Sequence, residues 1–514
     1  MKNKSIKPSG ALLLLISTAA VKLIGALFKI PLANLLGDSG FGRFSSVYDL
    51  FTPFYALAMT GLPVAAATVY SSEPDVSARE SLFRISKKLF RIFGACAVSL
   101  YILFIPFMLR LAGGDTAALL ALFAVAPAVL LFFLISYYRG WYEGQNNMLP
   151  TAVSDIIEAV GKLVLGLGLG ALVMRLSSDS NIGAAAVLFG ITLGVFAAWV
   201  WLAVSSKDSV PVSSGIDKEN DERLRRRLFS AAVSIGISAL LLSVPASLTD
   251  ALTVRPMLNI ASEQLRKNAQ LLYGIRGREF TLFNLIPAVS TAVGVSAVPQ
   301  LSSAAAAGDK RLLRERTGLL LKFSACIALP SGLGMTALSA GINSLLYGGA
   351  GHLQTGSRML AIYGAAAVFA GIAIPAVQAL QAIGKKETAL IILSASALVK
   401  LMGNVLLVSQ KDINIYGAAI STCLLYFSAL VPAIVILSKH TGGFNAGAFL
   451  RPAAAAVPAV LAAVLICRFG SGGLAVAAAV IAAVIVFIAA VWSFKVFSEK
   501  ELALIFGRES LFKR

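Results

Sequence analysis

The sequence predicts an all-α polytopic membrane protein with about fourteen transmembrane helices. Of its 514 residues, 58% are hydrophobic and 13% are charged, whereas a soluble domain typically carries about a quarter charged residues. A helix that crosses a bilayer needs about 20 predominantly apolar residues, and about fourteen such stretches follow one another along the chain. The composition excludes a disordered chain and argues against a soluble multidomain enzyme.

The predicted spans follow the apolar runs from the N-terminus to the C-terminus. The first seven comprise residues 10–36, 44–70, 90–110, 116–138, 150–174, 182–204 and 229–254. The second seven comprise residues 270–301, 317–340, 357–383, 387–408, 415–437, 452–468 and 473–494. Each run has the length and apolar character of a membrane-spanning helix.

The basic residues predict the orientation of these spans. The formal net charge is +19, from 44 Lys and Arg against 25 Asp and Glu. Twenty-nine basic residues lie in the N-terminus, alternate connectors and the C-terminal tail, nine lie in the opposite connectors and six lie inside spans. By the positive-inside rule, we expect a multi-pass protein of the cell membrane with both termini in the cytoplasm. Nucleic acid is not needed as a partner to explain the charge.

A faint internal repeat predicts the domain organisation. The sixth span opens with Asn181-Ile-Gly-Ala-Ala-Ala and the twelfth with Asn414-Ile-Tyr-Gly-Ala-Ala. Repeats of this kind are typical of transporter folds. We therefore predict two six-helix halves, 1–210 and 229–440, related by pseudo-twofold symmetry. A cytoplasmic linker at 211–228 joins them, and residues 441–514 form an appended helix pair with a cytoplasmic tail.

Charged residues inside the predicted spans are the candidate functional residues, because an isolated charge in hydrocarbon costs several kcal/mol. Lys22 and Lys29 are two helical turns apart and share a face. Asp49 lies one turn into the next span and is predicted to pair with one of them. The candidate substrate-cavity residues are Lys22, Lys29, Asp49, Arg255, Arg276 and Glu279.

These charges have a functional and a structural interpretation. A polar cavity between the halves with a net positive charge would favour an anionic ligand, and the planar fork of Arg suits phosphate. Alternatively, some of the charges form internal ion pairs, such as Asp155, Glu158 and Lys162 in the fifth span, or reach the membrane surface from span ends.

The sequence contains no motif of an enzyme or a metal site. We find no G-x-x-x-x-G-K-[ST], no H-E-x-x-H and no G-x-S-x-G in a suitable context. The four cysteines are isolated in or beside apolar runs, and the two histidines lie far apart. We therefore expect a protein that is not an enzyme and that has no cofactor and no bound metal.

Two segments carry a resemblance to a known family. The first is Ala20-Val-Lys-Leu-Ile-Gly-Ala-Leu-Phe-Lys-Ile-Pro, followed later by Thr60-Gly-Leu-Pro-Val-Ala. It resembles the polysaccharide-transport branch of the multidrug/oligosaccharidyl-lipid/polysaccharide exporter superfamily, which includes the stage V sporulation protein B group and the lipid II flippases. The fourteen-helix count is similar to that of this branch, whereas drug/cation antiporters of the superfamily usually have twelve helices.

The second segment lies in the eighth span. Tyr273, Arg276, Glu279 and Phe280 match the Tyr-x-x-Arg-x-x-Glu-Phe pattern of lipid II flippases. The resemblance implies that Arg276 belongs to a cationic central cavity that receives a lipid-linked sugar diphosphate. Other positions depart from the family pattern: Lys22 replaces its first Arg, Phe28 its second Arg, Lys29 a usual Asp, and Arg43 an acid.

The resemblance implies a flippase for an undecaprenyl-diphosphate-linked saccharide, either lipid II for peptidoglycan or another envelope or polysaccharide precursor. The expected partners are this lipid-linked oligosaccharide, the bilayer, and a coupling ion (Na⁺ or H⁺) or the membrane potential. Two alternatives stay open. A drug/cation antiporter of the same superfamily would need an acid-dominated cavity, and a non-transporting scaffold for envelope synthesis would not need the buried charges.

Overall fold

The fold is helical throughout the part of the chain that the structure describes. A computed structural model describes residues 10–73, 75–206, 218–243, 245–348, 352–443, 447–470, 472–499 and 501. Within α1, the side chains of residues 10–20, 22, 23 and 26 lie outside this description, as do residues 211–217 of the predicted linker at 211–228. No β-strand occurs in the described ranges, which confirms the predicted all-α class.

The chain forms two compact units, Met1–Arg278 and Glu279–Arg514. The boundary falls inside one helix, α10, whereas the predicted halves, 1–210 and 229–440, follow the sequence repeat and stay a prediction. The helices that begin in the first unit are α1 (Gly10–Tyr55), π1 (Ala56–Gly61), α2 (Leu62–Ser71), α3 (Val76–Ala112), α4 (Thr116–Gly144), α5 (Leu149–Gly161), π2 (Lys162–Gly166), α6 (Leu167–Ser177), α7 (Ser180–Ser205), α8 (Lys218–Ser243), α9 (Pro245–Ala261) and α10 (Glu263–Phe283).

The second unit contains a further set of long apolar helices. They are α11 (Leu285–Ala306), α12 (Lys310–Ala337), α13 (Ser339–Tyr347), α14 (Leu353–Ala382), α15 (Lys386–Gly403), π3 (Asn404–Val408), α16 (Tyr416–Thr441), α17 (Gly447–Phe469) and α18 (Gly473–Ser493). One core of this unit is formed by apolar side chains of α11, α12, α14 and α16, including Leu301, Leu321, Ala376 and Leu380.

The helices agree well with the predicted spans. Among the described residues, twelve helical segments are long and apolar enough to cross a membrane, or thirteen if the bent pair Asp221–Leu240 and Pro245–Ala261 is one span. These thirteen overlap the second to the fourteenth predicted spans. The first predicted span, 10–36, lies mostly on residues whose side chains are not described. The count is thus roughly consistent with fourteen.

Aspartates begin four of the helices, each by accepting a hydrogen bond from a backbone N–H of the first turn. Asp75 accepts from Ser77 at 3.1 Å, Asp115 from Ala118 at 2.8 Å, Asp179 from Asn181 at 2.8 Å and Asp309 from Leu312 at 2.9 Å. Aspartate is among the preferred residues at this position. The hydroxyl and the N–H of Ser77 also hold the pKa of Asp75 below its ordinary value.

A glycine kink divides α1 where the first predicted span ends. Gly37 has φ 65° and ψ 175°, which is not helical. Glycine adopts this left-handed φ at little cost because it has no Cβ. The helix that follows the kink carries Asp38, Arg43 and Asp49, three of the buried charges of the first unit.

Candidate functional site

The candidate site is a cluster of three buried charges from three helices of the first unit. Arg276 on α10 is 1% exposed. Its Nη1 lies 2.7 Å from Oδ2 of Asp49 on α1, and its Nη2 donates to Oδ2 of Asp250 on α9. Asp250 is 0% exposed. With two carboxylates around one guanidinium, the cluster has a formal charge of −1 when both aspartates are ionised.

Tyr273 completes this cluster from the same helix as Arg276. Its hydroxyl donates to Oδ2 of Asp49 at 2.8 Å, and its ring centroid lies 5.3 Å from the guanidinium carbon of Arg276. Residues three apart on a helix share a face. The Tyr-x-x-Arg spacing therefore brings the hydroxyl and the guanidinium to the same carboxylate.

The cluster depends on a close approach of α1 and α10. A Cβ atom added at Gly274 would lie 1.8 Å from the carbonyl oxygen of Asp38, and one added at Gly42 would lie 2.0 Å from that of Gln270. Cβ atoms at these positions would push the two backbones apart. The same approach lets Nη1 of Arg278 reach Oδ1 of Asp38 at 2.6 Å.

Two further arginines, Arg43 and Arg255, lie next to each other at the end of α3. Arg43 donates to the carbonyl oxygen of Ala112 at 2.8 Å and also contacts the carboxylate of Asp115. Arg255 donates to the carbonyl oxygen of Leu111 at 3.3 Å. Both arginine side chains are buried, with 1% and 8% of their surfaces exposed.

A third group of charges joins α4 to α5 and π2. Arg139 contacts Asp155 at 2.5 Å and Glu158 at 3.5 Å, and Lys162 pairs with Glu158. The predicted ion pairing within the fifth span is confirmed for Glu158 and Lys162. Arg139, near the end of α4, is a buried member of this group.

The predicted site residues are thus divided among several environments. Asp49 and Arg276 meet directly, and Arg255 meets Arg43. Lys29 lies over the ring of Tyr48, with Nζ 4.7 Å from the ring centroid. Asp49 contacts Arg276 and Tyr273, so its predicted pairing with Lys22 or Lys29 does not involve Lys29. The side chain of Lys22 lies outside the described residues.

Glu279 is the first residue of the second unit and is fully buried there. Asn343 on α13 donates its Nδ2 hydrogen to Oε2 of Glu279 at 3.0 Å. In the same unit, the buried Lys400 donates to Oγ1 of Thr422 at 2.7 Å, and its Nζ lies 5.9 Å from the ring centroid of Phe280. These residues give the second unit polar interactions of its own inside apolar helices.

Two aspartates of these clusters were absent from the predicted site. They are Asp250 and Asp38, both of which are buried. The signal available in the sequence was the same for both: an acidic residue beside or within a long apolar run. Among the described residues, no group of three or more His, Cys, Asp or Glu side chains is placed to hold a metal ion.

Long apolar helices with buried, mutually paired charges define a polytopic membrane protein. Two family models match this chain. "Polysaccharide biosynthesis protein" matches residues 9–258, and "MatE" matches residues 277–406. Together with the relatives described below, they support the multidrug/oligosaccharidyl-lipid/polysaccharide exporter superfamily and a membrane transporter or flippase.

Three Bacillus subtilis (strain 168) proteins are similar in sequence. The uncharacterized membrane protein YabM is 24% identical over 80% of this chain and 76% of its own length. The lipid II flippase MurJ is 21% identical over 84% of this chain and 82% of its own length. Stage V sporulation protein B is 25% identical over 30% of this chain and 31% of its own length. Of these three names, that of MurJ states an activity, which is flipping of lipid II.

Solved structures of the superfamily share the fold. Lipid II flippase MurJ in an inward closed conformation has a TM-score of 0.69 and 15% identity, and the match covers 94% of this chain and 98% of that chain. An inward-facing multidrug resistance MATE family transporter has a TM-score of 0.65 and 13% identity, with 84% and 98% covered. The fold is therefore common to flippases and drug transporters.

Proposed function

We propose that this protein is a flippase for an undecaprenyl-diphosphate-linked saccharide, lipid II or another precursor of the cell envelope, and that it works by alternating access. It lies in the cell membrane with both termini in the cytoplasm. Similarity to MurJ and to the polysaccharide biosynthesis family supports this substrate class. The proposal keeps the halves 1–210 and 229–440, with residues 441–514 as an appended pair beside the prenyl tail.

The observation that carries the proposal is the pairing of Arg276 with Asp49 and Asp250 inside apolar helices. Removing the partner of a buried charge is strongly destabilising. A guanidinium pairs with phosphate in the same forked geometry as with carboxylate. A diphosphate head group can therefore replace the aspartates as the partner of Arg276, and the arginine stays paired in both states.

This exchange would release two carboxylates, which explains a need for a coupling cation. When Arg276 turns to the diphosphate, Asp49 and Asp250 lose their common partner inside the membrane. A proton or Na⁺ on these carboxylates would replace the lost positive charge. Each elementary charge moved through 100 mV is worth about 2.3 kcal/mol, so that the membrane potential contributes to the exchange. Lys22, Lys29, Arg255 and Glu279 belong to the proposal as further substrate-contacting residues.

The test is flipping of a fluorescent lipid II by the purified full chain in liposomes, read as accessibility to a quencher outside. We expect Arg276→Gln to lower the initial rate at least tenfold. Arg110→Gln is the matched control, because Arg110 is exposed at the end of α3 and is expected to leave the rate unchanged. If Arg276→Gln inserts into liposomes as well as the wild type and flips lipid II at the wild-type rate, Arg276 has no role in flipping. The proposed function would then lose the observation on which it rests.

A drug/cation antiporter is the second candidate, and one observation favours it. The carboxylates of Asp49 and Asp250 outnumber the guanidinium that they share, an arrangement that suits a cationic cargo, and the MatE model matches residues 277–406. Efflux of a cationic dye from cells or liposomes separates the two candidates. Dye export that depends on Asp49 and Asp250, without flipping of lipid II, would establish the antiporter instead.

A further inference from the structure

The two arginines at the end of α3 approach one common point. A Cβ atom added at Gly113 would lie 2.7 Å from Nη1 of Arg43 and 3.2 Å from both Nη1 and Nη2 of Arg255. Gly113 has φ 127°, a conformation that side chains disfavour. Both guanidinium groups therefore pack against Gly113, and a side chain at this position would displace them.

The pair carries more positive charge than its protein partners balance. Arg43 has one carboxylate partner, Asp115, whose side chain is 50% exposed. Arg255 is more than nine-tenths buried, yet its hydrogen bond among the described residues is a long one, 3.3 Å, to the carbonyl oxygen of Leu111. A buried guanidinium has five N–H donors, and an unpaired buried charge is strongly unfavourable.

Capping of α3 does not account for both arginines. A cation is favoured near the carbonyl end of a helix, and Arg43 supplies one there through the carbonyl oxygen of Ala112. The backbone N–H groups of Gly113 and Gly114 already donate to the carbonyl oxygen of Leu109, at 3.1 Å and 2.8 Å. Arg255 thus adds a second buried charge to a helix end that already has its partners.

We propose that Arg43 and Arg255 form an oxyanion-binding subsite for a phosphate or diphosphate group, separate from the Arg276 cluster. The subsite can be reached from outside, because Gly113, against which both guanidinium groups pack, is exposed. The first turn of α4 begins at this turn with Asp115 as its cap, and its positive end also favours an anion. A bound oxyanion balances the charge of Arg255 and completes its hydrogen bonds.

The subsite lies on the same helix as part of the Arg276 cluster. Asp250 and Arg255 are both on α9, so one helix carries a partner of Arg276 and a donor of the oxyanion subsite. We assign the subsite to the diphosphate of the transported lipid, as a second binding position for that group in the first unit. This identity rests on the proposed function, whereas the existence of the subsite does not.

The test is a binding measurement on the full chain, purified in a maltoside detergent that contains no phosphate. Titration calorimetry with inorganic pyrophosphate, and separately with a short-chain polyprenyl diphosphate, compares the wild type with Arg255→Gln and Arg255→Lys. We expect the dissociation constant to rise at least tenfold in Arg255→Gln and less in Arg255→Lys, which keeps the charge but not the fork. Arg110→Gln, an exposed arginine at the end of the same α3 helix, is expected to bind as the wild type does.

The outcomes separate the possible sources of the oxyanion and the two proposals. Arg255-dependent binding of both probes assigns the subsite to the phosphoryl group itself, and Arg255-dependent binding of the polyprenyl probe alone assigns it to a lipid head group. Equal affinities in the wild type and Arg255→Gln, or binding lost in Arg276→Gln and kept in Arg255→Gln, would overturn the subsite and the role of Arg255 in substrate contact. Flipping through Arg276, on which the proposed function rests, would still stand. Arg255-dependent binding in a protein that flips no lipid II would support the subsite and overturn the proposed function.

To separate an effect on the fold from an effect on the site, the melting temperature of each variant is also measured with and without pyrophosphate. A folded Arg255→Gln protein is expected to melt near the wild-type temperature without ligand and to lose the ligand-induced rise in melting temperature. Arg255→Lys is the second variant if Arg255→Gln does not fold, with the same expected direction. A full ligand-induced rise in a folded Arg255 variant contradicts the proposal.

Discussion

Arg276 and Arg255 are both buried arginines of the first unit, but they have very different partners. Two carboxylates surround Arg276, whereas a backbone carbonyl oxygen and a second guanidinium lie beside Arg255. Carboxylates neutralise a buried charge, and carbonyl oxygens only solvate it. The protein itself therefore neutralises the charge of Arg276, whereas Arg255 has a carbonyl oxygen and no carboxylate among its hydrogen-bond partners in the described residues.

The largest expected effect on stability comes from replacing Arg276. Arg276→Gln leaves Asp49 and Asp250 facing each other without a positive charge, and loss of one partner from a buried ion pair costs about 3–5 kcal/mol. We expect a fall of many degrees in the melting temperature of the detergent-solubilised protein, measured by tryptophan fluorescence. The triple variant Asp49→Asn, Asp250→Asn, Arg276→Gln removes all three charges and is expected to regain most of this loss. An equally unstable triple variant would show that charge pairing is not what holds the cluster.

The next effect tests whether the approach of α1 and α10 makes the cluster possible. Gly274→Ala places a Cβ atom 1.8 Å from the carbonyl oxygen of Asp38, and added volume in a packed interior costs about 1–3 kcal/mol. We expect a loss near 3 kcal/mol, read as a lower melting temperature, together with slower flipping. Gly168→Ala is the matched control, because a Cβ atom there meets nothing within 4 Å. Equal melting temperatures for both variants would contradict the close approach.

The smallest effect separates the two arginines at the end of α3. Arg43→Gln removes a hydrogen bond to Ala112 and the pairing with Asp115, and hydrogen bonds of charged groups contribute about 1.5–3 kcal/mol. We expect a loss of about 1.5 kcal/mol for Arg43→Gln and a smaller one for Arg255→Gln, whose bond is longer. Chemical denaturation in one detergent compares them. A larger loss in Arg255→Gln would mean that Arg255 is held like Arg276.

Much of the fold could be predicted from the sequence, because the apolar pattern of each helix reflects the environment of that helix alone. A run of about 20 apolar residues is enough to predict a span, and an aspartate before the run, as at Asp75 or Asp115, marks where a helix begins. The motif was also readable within one helix, since Tyr273 and Arg276 share a face at a spacing of three. Membership of the superfamily followed from such local patterns.

The partners of the charges depend on tertiary structure. Asp49 was predicted to pair with Lys22 or Lys29, yet it contacts Arg276 more than 200 positions later in the chain. The helix crossing that Gly42 and Gly274 permit decides this pairing, because only backbones in close contact bring those two side chains together. Hydropathy and spacing describe one helix at a time. The sequence by itself therefore determined the spans and the charged residues inside them, and the packing of α1, α9 and α10 decided which of these charges pair with one another.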